Sequence, residues 1–326
     1  MKLASLKSKE RDGVLIVVDR ALTRYRSAES VVPTLQHALE NWEAYAPGLQ
    51  VIYDELNRDN NQGNRLDVSQ LAAPLPRAYQ WLDGSAYLSH VERVRKARGA
   101  ELPPSYWNDP LMYQGGSDTL LGATDNIMTN SEKNGVDFES EVAVIVGDVS
   151  QGASVDQAVQ SIRLLLLVND VSLRNLIPEE LAKGFGFLHG KPPTAFSPVA
   201  VTPDELGDAW KDCKVHLPLI THYNNELFGD PNAGVDMQFS FSELIVHAAK
   251  TRPLSAGTII GSGTVSNYNR STGCSCLAEK RMLEVIEQGH AHTPFMSFGD
   301  KVHIEMKNEL GQSIFGAIDQ QVSQLS

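Results

Sequence analysis

The sequence predicts a β-rich α+β protein, and two observations predict it. Short segments punctuated by glycine dominate the second half of the chain, for example GTIIGSGTVSN at 257–267 and KVHIEMKN at 301–308. Apolar residues at helical spacing occur in separate stretches, for example ESVVPTLQHALENWEAYA at 29–46. Together these patterns favour curved sheets that pack on one another.

The first elements divide the chain into two predicted domains. GVLIVV at 13–18 predicts an opening strand, and 29–46 predicts a helix. Pro74 and Pro76 interrupt the segment that follows, and we place a domain change near residue 85. The predicted units are a small N-terminal domain, 1–85, and a larger domain, 86–326.

The larger domain mixes loops, helices and strands before its strand-rich end. In chain order we predict an irregular Pro- and Gly-rich segment at 102–123, a strand at 137–147, a helix at 153–168 that runs into the buried strand LLLLV, a helix at 171–183 and a loop at 184–198. The segment MQFSFSELIVHAAK, at 237–250, is grouped with the short strands that follow.

The composition excludes several classes of protein. The 326 residues carry a net charge of −12, so the chain is a poor binder of the phosphate backbone and we expect no nucleic-acid partner. The longest apolar run, 164–168, is far too short to span a membrane. Three cysteines argue against a disulfide scaffold and fit a reducing compartment. We therefore expect a cytoplasmic protein without a membrane partner.

Acidic side chains stand at the entrance of a very apolar strand. In DFESEVAVIVGDV, at 137–149, Glu139 and Glu141 are two residues apart and point to one side of the strand, together with Asp137. Like charges on one face repel each other, and burial increases that cost. A hard divalent cation, which takes oxygen ligands, would remove the repulsion.

Two further acids are candidates for the same cation. Asp109 lies in the irregular segment, and Asp170 ends the strand LLLLVND. The alternatives are an ordinary loop residue for Asp109 and a helix N-cap for Asp170. Together with Glu139 and Glu141 they would bind one Mg²⁺ or Ca²⁺, with Mn²⁺ as a further candidate, and leave positions open for substrate.

Four motifs resemble those of the fumarylacetoacetate hydrolase family and occur in the family's order. They are VDFESEVAVIVGDV, LLLLVNDVSLRNL, GFLHGKPPTAFSPVAVTPDEL and GTIIGSGTVSN. The resemblance covers about 105–322, and the N-terminal part is similar to the small domain of the longer, fumarylacetoacetase-type members. It implies a mixed β-sandwich roll with a small barrel-like N-terminal domain, in a protein that is usually a homodimer.

The resemblance also implies roles for individual residues. The implied site consists of Asp109, Glu139, Glu141 and Asp170 for the metal, and Tyr113, Arg174, Lys191 and Thr264 for the substrate. Arg174 would bind the substrate carboxylate and Lys191 would face developing negative charge. From the residues alone, Arg174 fits a surface ion pair equally well and Lys191 fits a solvated loop position.

The family's catalytic histidine has no counterpart on this mapping. Gly115 and Gly116 stand where a histidine after Asp109 would be expected. Glu279, in CSCLAEKR, matches the glutamate that orients this histidine in the family. We therefore predict Glu279 as the base that acts with Arg174 and Lys191, with His189 as another candidate. The exposed-looking pair His290 and His292 is a weak candidate for binding a metal.

These observations predict a divalent-metal-dependent hydrolase that cleaves a carbon–carbon bond in a dioxo acid of the fumarylacetoacetate or acylpyruvate type. The resemblance implies a setting in the degradation of aromatic compounds. Hydration, decarboxylation and isomerisation are alternatives, because the same metal and fold support them. A non-catalytic paralogue that binds a metal or a small molecule is the alternative from another class.

Overall fold

The polypeptide forms a layered structure of sheets and helices. The computed structural model describes residues 1–58, 63–97, 101 and 103–325. The strands are β1 Lys2–Leu6, β2 Val14–Val18, β3 Arg24–Ser27, β4 Asn64–Arg65, β5 Trp81–Gly84, β6 Met112–Gly115, β7 Ile127–Thr129, β8 Val136–Asp137, β9 Ser140–Val146, β10 Ile162–Asn169, β11 Ser172–Leu173, β12 Ala195–Phe196, β13 Ala200–Val201, β14 Trp210–Lys211, β15 Lys214–Val215, β16 Leu219–Tyr223, β17 Glu226–Gly229, β18 Ile259–Gly261, β19 Lys301–Met306 and β20 Ile318–Gln324. The α-helices are α1 Leu35–Glu40, α2 Trp42–Arg58, α3 Leu88–Ala97, α4 Val155–Ser161, α5 Ile177–Ala182, α6 Phe241–Ala248 and α7 Leu277–Gln288. Among the described residues, no helix combines the length and the apolar character that a membrane crossing requires.

Most of the described strands belong to two open sheets. The larger sheet has the order β4-β3-β2-β1-β13-β10-β9-β18-β5-β6, with β12 paired to β10, and the smaller has the order β17-β16-β19-β20-β7. Both sheets mix parallel and antiparallel pairs, since β5 is parallel to β18 and β7 is parallel to β20. The predicted β-rich α+β class is confirmed. The N-terminal strands are not barrel-like, because β1 pairs with β13 and so continues the larger sheet.

The strand β9 is buried on both faces because a separate core lies on each side of it. Val142, Val144 and Val146 face a core that includes residues of the smaller sheet. Ala143 and Ile145 face a second core that includes residues of α1 and α2. Alternate residues of a strand point to opposite faces, so a strand between two cores needs an uninterrupted apolar run.

Several elements differ in detail from the sequence prediction. The helix predicted at 29–46 divides into α1 and α2, and the strand predicted at 137–147 is interrupted between β8 and β9. The segment grouped with the strands at 237–250 contains the helix α6 instead. Its start is fixed by a capping box, in which the Ser240 side chain accepts from the backbone of Glu243 while the Glu243 side chain accepts from the backbone of Ser240.

In four neighbouring strands of the larger sheet, polar residues at one end of each strand lie at the same edge of the sheet. Because β9 is antiparallel to both β10 and β18, and β5 is parallel to β18, the start of β9 lies beside the ends of the other three strands. Glu141 near the start of β9 therefore meets Asp170 after β10, Thr264 after β18 and Asp83 at the end of β5.

Replacement of Leu165 by alanine tests the importance of this packing. Leu165 is fully buried in β10 and pairs with Val144 and Val201. Leu165→Ala is expected to lower the free energy of unfolding by about 2–5 kcal/mol, because it opens a cavity between packed strands. The change is measured by urea denaturation. Leu310→Ala, at a position with 82% exposure, is the matched control, and an equal loss in both variants would contradict the description of the core.

Candidate active site

Three buried carboxylates converge at this edge of the larger sheet. Asp83, Glu141 and Asp170 each offer an oxygen, and these oxygens lie within 4.8 Å of one another. All three residues are buried. Gly261 makes room for Asp83, because a Cβ atom at this position would lie 2.3 Å from Oδ1 of Asp83. Three like charges in so small a buried volume repel one another strongly.

The electrostatics of this cluster favour a divalent cation. Burial raises the pKa of Glu141 well above its usual value, and the charges of Asp83 and Asp170 raise it further. Burial and the charge of Asp170 likewise raise the pKa of Asp83. Among the described residues, no N–H or O–H group donates a hydrogen bond to either carboxylate oxygen of Glu141. Such a donor set of hard oxygens fits Mg²⁺, Ca²⁺ or Mn²⁺.

Glu139 lies beside the cluster, but two cations hold its carboxylate. Arg174 donates a hydrogen bond to Oε1, and Nζ of Lys191 lies 2.8 Å from Oε2. Burial alone would raise the pKa of Glu139, but the charges of Arg174 and Lys191 reverse this effect and hold the pKa far below its usual value. Glu139 therefore stays ionised and orients both cations.

Asp170 connects the cluster to three neighbouring polar side chains. Nζ of Lys191 lies 2.5 Å from Oδ2 of Asp170, and the Tyr113 hydroxyl donates to the same oxygen at 2.5 Å. Thr194 donates to Oδ1 at 2.8 Å. Burial alone would lower the pKa of Lys191, but Asp170 and Glu139 raise it above its usual value. The ammonium group of Lys191 thus remains charged. It lines a cavity that Asp83 and Glu141 also line.

Asp137 connects Arg174 to the helix α7. Nε of Arg174 donates to Oδ2 of Asp137 at 2.9 Å. The same carboxylate accepts the backbone N–H groups of Leu277 and Ala278, at 2.7 and 2.9 Å, at the start of α7. A carboxylate at the N-terminus of a helix is stabilised by the free N–H groups there. Asp137 therefore fixes α7, which carries Glu279, relative to the guanidinium group.

Glu279 orients a histidine, namely His90 of α3. Nδ1 of His90 lies 2.6 Å from Oε2 of Glu279, while Arg93 and Ser266 donate to Oε1, the serine at 3.0 Å. Burial alone would raise the pKa of Glu279, but the hydrogen bond and charge of His90 and the charge of Arg93 lower it. Glu279 is thus an ionised carboxylate with both oxygens occupied. The imidazole of His90 lines the cavity, whereas Glu279 is not among the residues that line it. His90 is therefore better placed than the predicted Glu279 to meet a bound molecule.

Asp109 does not join the cluster. Its side chain is 71% exposed and lies 3.5 Å from Nδ1 of His247, in a surface cleft. Asp83 occupies the position that we assigned to Asp109. Since His90 follows Asp83 by seven residues, the acid and histidine that were sought near Asp109 and Gly116 are both present upstream.

The remaining candidates divide into those at the cavity and those outside it. Tyr113, Arg174, Lys191 and Thr264 all line the cavity, which has a volume of about 560 Å³. His189 does not line it, and its side chain is 79% exposed. His290 and His292 are both exposed and lie close to each other, with ring centres 4.0 Å apart.

A local signal for the missed pair exists in WLDGSAYLSHVER. Asp83 precedes a glycine at the end of an apolar strand, and His90 lies on the helix that follows. The predicted domain boundary near residue 85 falls between these two residues and assigns them to different domains.

Two family models match the chain. The model described as fumarylacetoacetate (FAA) hydrolase C-terminal matches residues 80–323, and the model described as fumarylacetoacetase N-terminal domain 2 matches residues 1–77. The chain belongs to the fumarylacetoacetate hydrolase family. The predicted resemblance is therefore confirmed.

Curated relatives carry out different reactions. A 2,4-didehydro-3-deoxy-L-rhamnonate hydrolase of Sphingomonas sp. (strain SKA58) is 29% identical over 159 residues, which are 48% of this chain and 53% of the relative. An oxaloacetate tautomerase of Bacillus subtilis (strain 168) is 27% identical over 209 residues, which are 63% of this chain and 65% of the relative. The matches thus span between about half and two thirds of these relatives.

Solved structures share the fold over the whole chain. Fumarylacetoacetate hydrolase from Exiguobacterium antarcticum has a TM-score of 0.69 at 18% identity, with 100% of both chains covered. Maleylpyruvate hydrolase from Sphingobium sp. SYK-6, in complex with manganese(II) ion and pyruvate, has a TM-score of 0.65 at 16% identity, with the same coverage. At these identities the similarity shows a common fold.

Removal of one charge from the cluster tests its affinity for a cation. Mg²⁺ or Mn²⁺ is expected to raise the melting temperature of the wild-type protein, by an amount equivalent to about 2.7 kcal/mol at a hundredfold excess over Kd. Glu141→Gln is expected to lose this response while it melts, without metal, at or above the wild-type temperature, because the repulsion among the three buried carboxylates is relieved.

Asp109→Asn serves as the matched control and is expected to respond to the metal as the wild type does. Differential scanning calorimetry with and without EDTA measures both variants. A metal response that survives in Glu141→Gln but disappears in Asp109→Asn would overturn the placement of the cluster.

Proposed function

We propose that the protein is a divalent-metal-dependent hydrolase that cleaves a carbon–carbon bond in a dioxo acid of the fumarylacetoacetate or acylpyruvate type. The observation that carries this proposal is the 2.6 Å contact between His90 and Glu279 at the cavity that also holds the carboxylate cluster. A histidine that is oriented by a buried carboxylate is suited to take a proton from water during attack on a carbonyl.

Asp83, Glu141 and Asp170 would hold the cation, with Glu139 beside them. When bound, Mg²⁺, Ca²⁺ or Mn²⁺ would polarise the oxo groups of the substrate and stabilise the negative charge of the enolate. The cluster fits this task because its charge is only partly balanced by Lys191.

The protein side chains supply the other parts of the reaction. With Nδ1–H of His90 donated to Glu279, Nε2 is free to accept a proton from a water molecule that attacks the substrate carbonyl. Glu279 then stabilises the imidazolium. The bond between the attacked carbonyl carbon and its neighbour breaks, and the departing enolate takes the proton of the His90 imidazolium to become the second acid product, which returns the imidazole to its neutral form.

Arg174 and Lys191 would position the substrate. Arg174 presents a planar guanidinium group, which suits a carboxylate. Lys191 would face the oxyanion that develops on the attacked carbonyl. Tyr113 and Thr264 complete the polar part of the cavity.

Tautomerisation is the second candidate reaction, and the similarity to an oxaloacetate tautomerase supports it. Exchange between keto and enol forms needs a base and a stabilised enolate but no attacking water. Hydration and decarboxylation draw on the same groups. A non-catalytic binding protein is less well supported, because His90, Glu279 and the carboxylate cluster occur together around one cavity.

We propose that the protein is a cytoplasmic homodimer that acts in the degradation of aromatic compounds. We also propose that its two domains divide near residue 85. The three cysteines form no disulfide, which supports a reducing compartment. Light scattering would measure the oligomeric state.

Product analysis separates hydrolysis from tautomerisation. The protein is incubated with Mg²⁺ and an acylpyruvate, and mass spectrometry follows the products before and after EDTA. The proposal expects two acids whose formation stops with EDTA. A change in the keto–enol ratio at unchanged mass would instead favour the tautomerase.

Replacement of His90 tests the identity of the base. His90→Asn is expected to lower kcat by roughly 10²- to 10⁴-fold, because proton transfer from water loses its acceptor. The stabilisation by metal is expected to remain, since His90 is not part of the cluster. His189→Asn is the control and is expected to keep wild-type kcat. Equal kcat in the wild type and His90→Asn would exclude His90 as the base.

A further inference from the structure

The cavity is lined by two chemically different groups of side chains. One group consists of the carboxylates and cations described above. The other group, called the apolar wall below, consists of Leu111, Ile177, Leu181 and Phe187. These side chains offer apolar surface in the same cavity as the carboxylates.

This wall is held in place by the fold. Ile177 and Leu181 are four residues apart on α5 and therefore share one face of the helix. Phe187 packs edge-on against Tyr113, with ring centres 5.1 Å apart. Since Tyr113 also donates to Asp170, Tyr113 links the wall to the carboxylate cluster.

A buried carboxylate anchors the loop that carries Phe187. The Glu180 side chain accepts the backbone N–H groups of residues 188, 189 and 190, at 3.1, 2.6 and 2.9 Å. Three such bonds tie the loop to α5. The loop therefore presents Phe187 and Lys191 from one fixed segment, with the apolar ring and the ammonium group on the same cavity.

The positively charged side chains that line the cavity all contact carboxylates of the protein. Among the described lining residues, the cationic or basic side chains are Lys191, Arg174 and His90, and each contacts a carboxylate of the protein. Among the described lining residues, no further lysine or arginine remains to pair with a second carboxylate of a substrate. Such a carboxylate would lose its hydration against the apolar wall.

We propose that the substrate carries an uncharged, apolar substituent on the side of its dioxo-acid group that faces this wall. The proposal rests on the proposed function and narrows it. It favours acylpyruvates with an alkyl or aryl acyl group, and it disfavours dioxo acids that end in a second carboxylate, fumarylacetoacetate included.

The exposure of the wall agrees with such an occupant. Leu111 is 42% exposed and Leu181 is 48% exposed. An apolar substituent would cover these side chains, and each methylene that it buries is expected to strengthen binding roughly three- to fourfold.

Binding of N-substituted oxamates tests the proposal without requiring turnover. These compounds carry an oxo-acid head, and their tail can be varied. N-(3-methylbutyl)oxamate and N-(2-carboxyethyl)oxamate have tails of similar shape, one apolar and one charged. Isothermal titration calorimetry with Mg²⁺ is expected to show binding of the apolar compound roughly tenfold tighter or more.

Two variants show where the tail binds. Leu181→Arg places a cation in the wall and is expected to reverse the preference, so that the carboxyethyl compound binds more tightly. Leu188→Arg adds the same charge at a position that is 75% exposed and outside the cavity lining, and it is expected to keep the wild-type preference.

The outcomes separate this proposal from the proposed function. A preference for the apolar tail, reversed only by Leu181→Arg, supports the proposal even if no dioxo acid is cleaved. Equal or tighter binding of the carboxyethyl compound by the wild type would overturn the proposal even if cleavage is observed. Absence of binding by every oxamate would overturn it together with the assignment of the acid end.

Discussion

The mutual repulsion of three buried carboxylates is the constraint on which the site depends. Asp83, Glu141 and Asp170 come from three strands of one sheet and bring oxygens within 4.8 Å of one another. The fold holds them there against their charge, because the strands that carry them are buried between two apolar cores. This cost is acceptable when a divalent cation balances it, and the neighbouring side chains are arranged around that cation site.

Two cationic side chains near the cluster each contact two carboxylates, and they share Glu139. Lys191 lies between Glu139 and Asp170, and Arg174 lies between Glu139 and Asp137. Asp137 in turn holds the start of α7, and α7 presents Glu279 to His90. The carboxylate cluster, Lys191, Arg174 and His90 are thus joined through a chain of direct contacts, so that the position of the proposed base depends on the strand that carries the carboxylates. The acid that seemed redundant at the strand entrance, Asp137, has this structural role.

Much of the fold could be predicted from local patterns, because burial and alternation are local properties. The apolar run of β9, the passage from α4 into β10, and the placement of Glu141 and Asp170 at the same edge follow from strand geometry. The helix α6 is not evident from apolar spacing, because its apolar residues lie close together in the sequence. The local sign of its start is the capping box of Ser240 and Glu243.

The fourth acid could not be placed, because its position depends on pairing between distant strands. Asp83 reaches the cluster through the parallel pairing of β5 with β18, which are far apart in the sequence. No local pattern encodes that register. The boundary predicted near residue 85 falls between Asp83 and His90, so the two residues were assigned to different predicted domains. The family resemblance maps this acid onto Asp109, a loop residue whose exposure and contact with His247 are not visible in the sequence.

The most direct test of this account is anomalous diffraction from crystals of the full chain grown with Mn²⁺. The account predicts one strong peak within about 2.5 Å of carboxylate oxygens from Asp83, Glu141 and Asp170. A peak at Asp109, or a cluster that binds no Mn²⁺ while the protein is active, would contradict it.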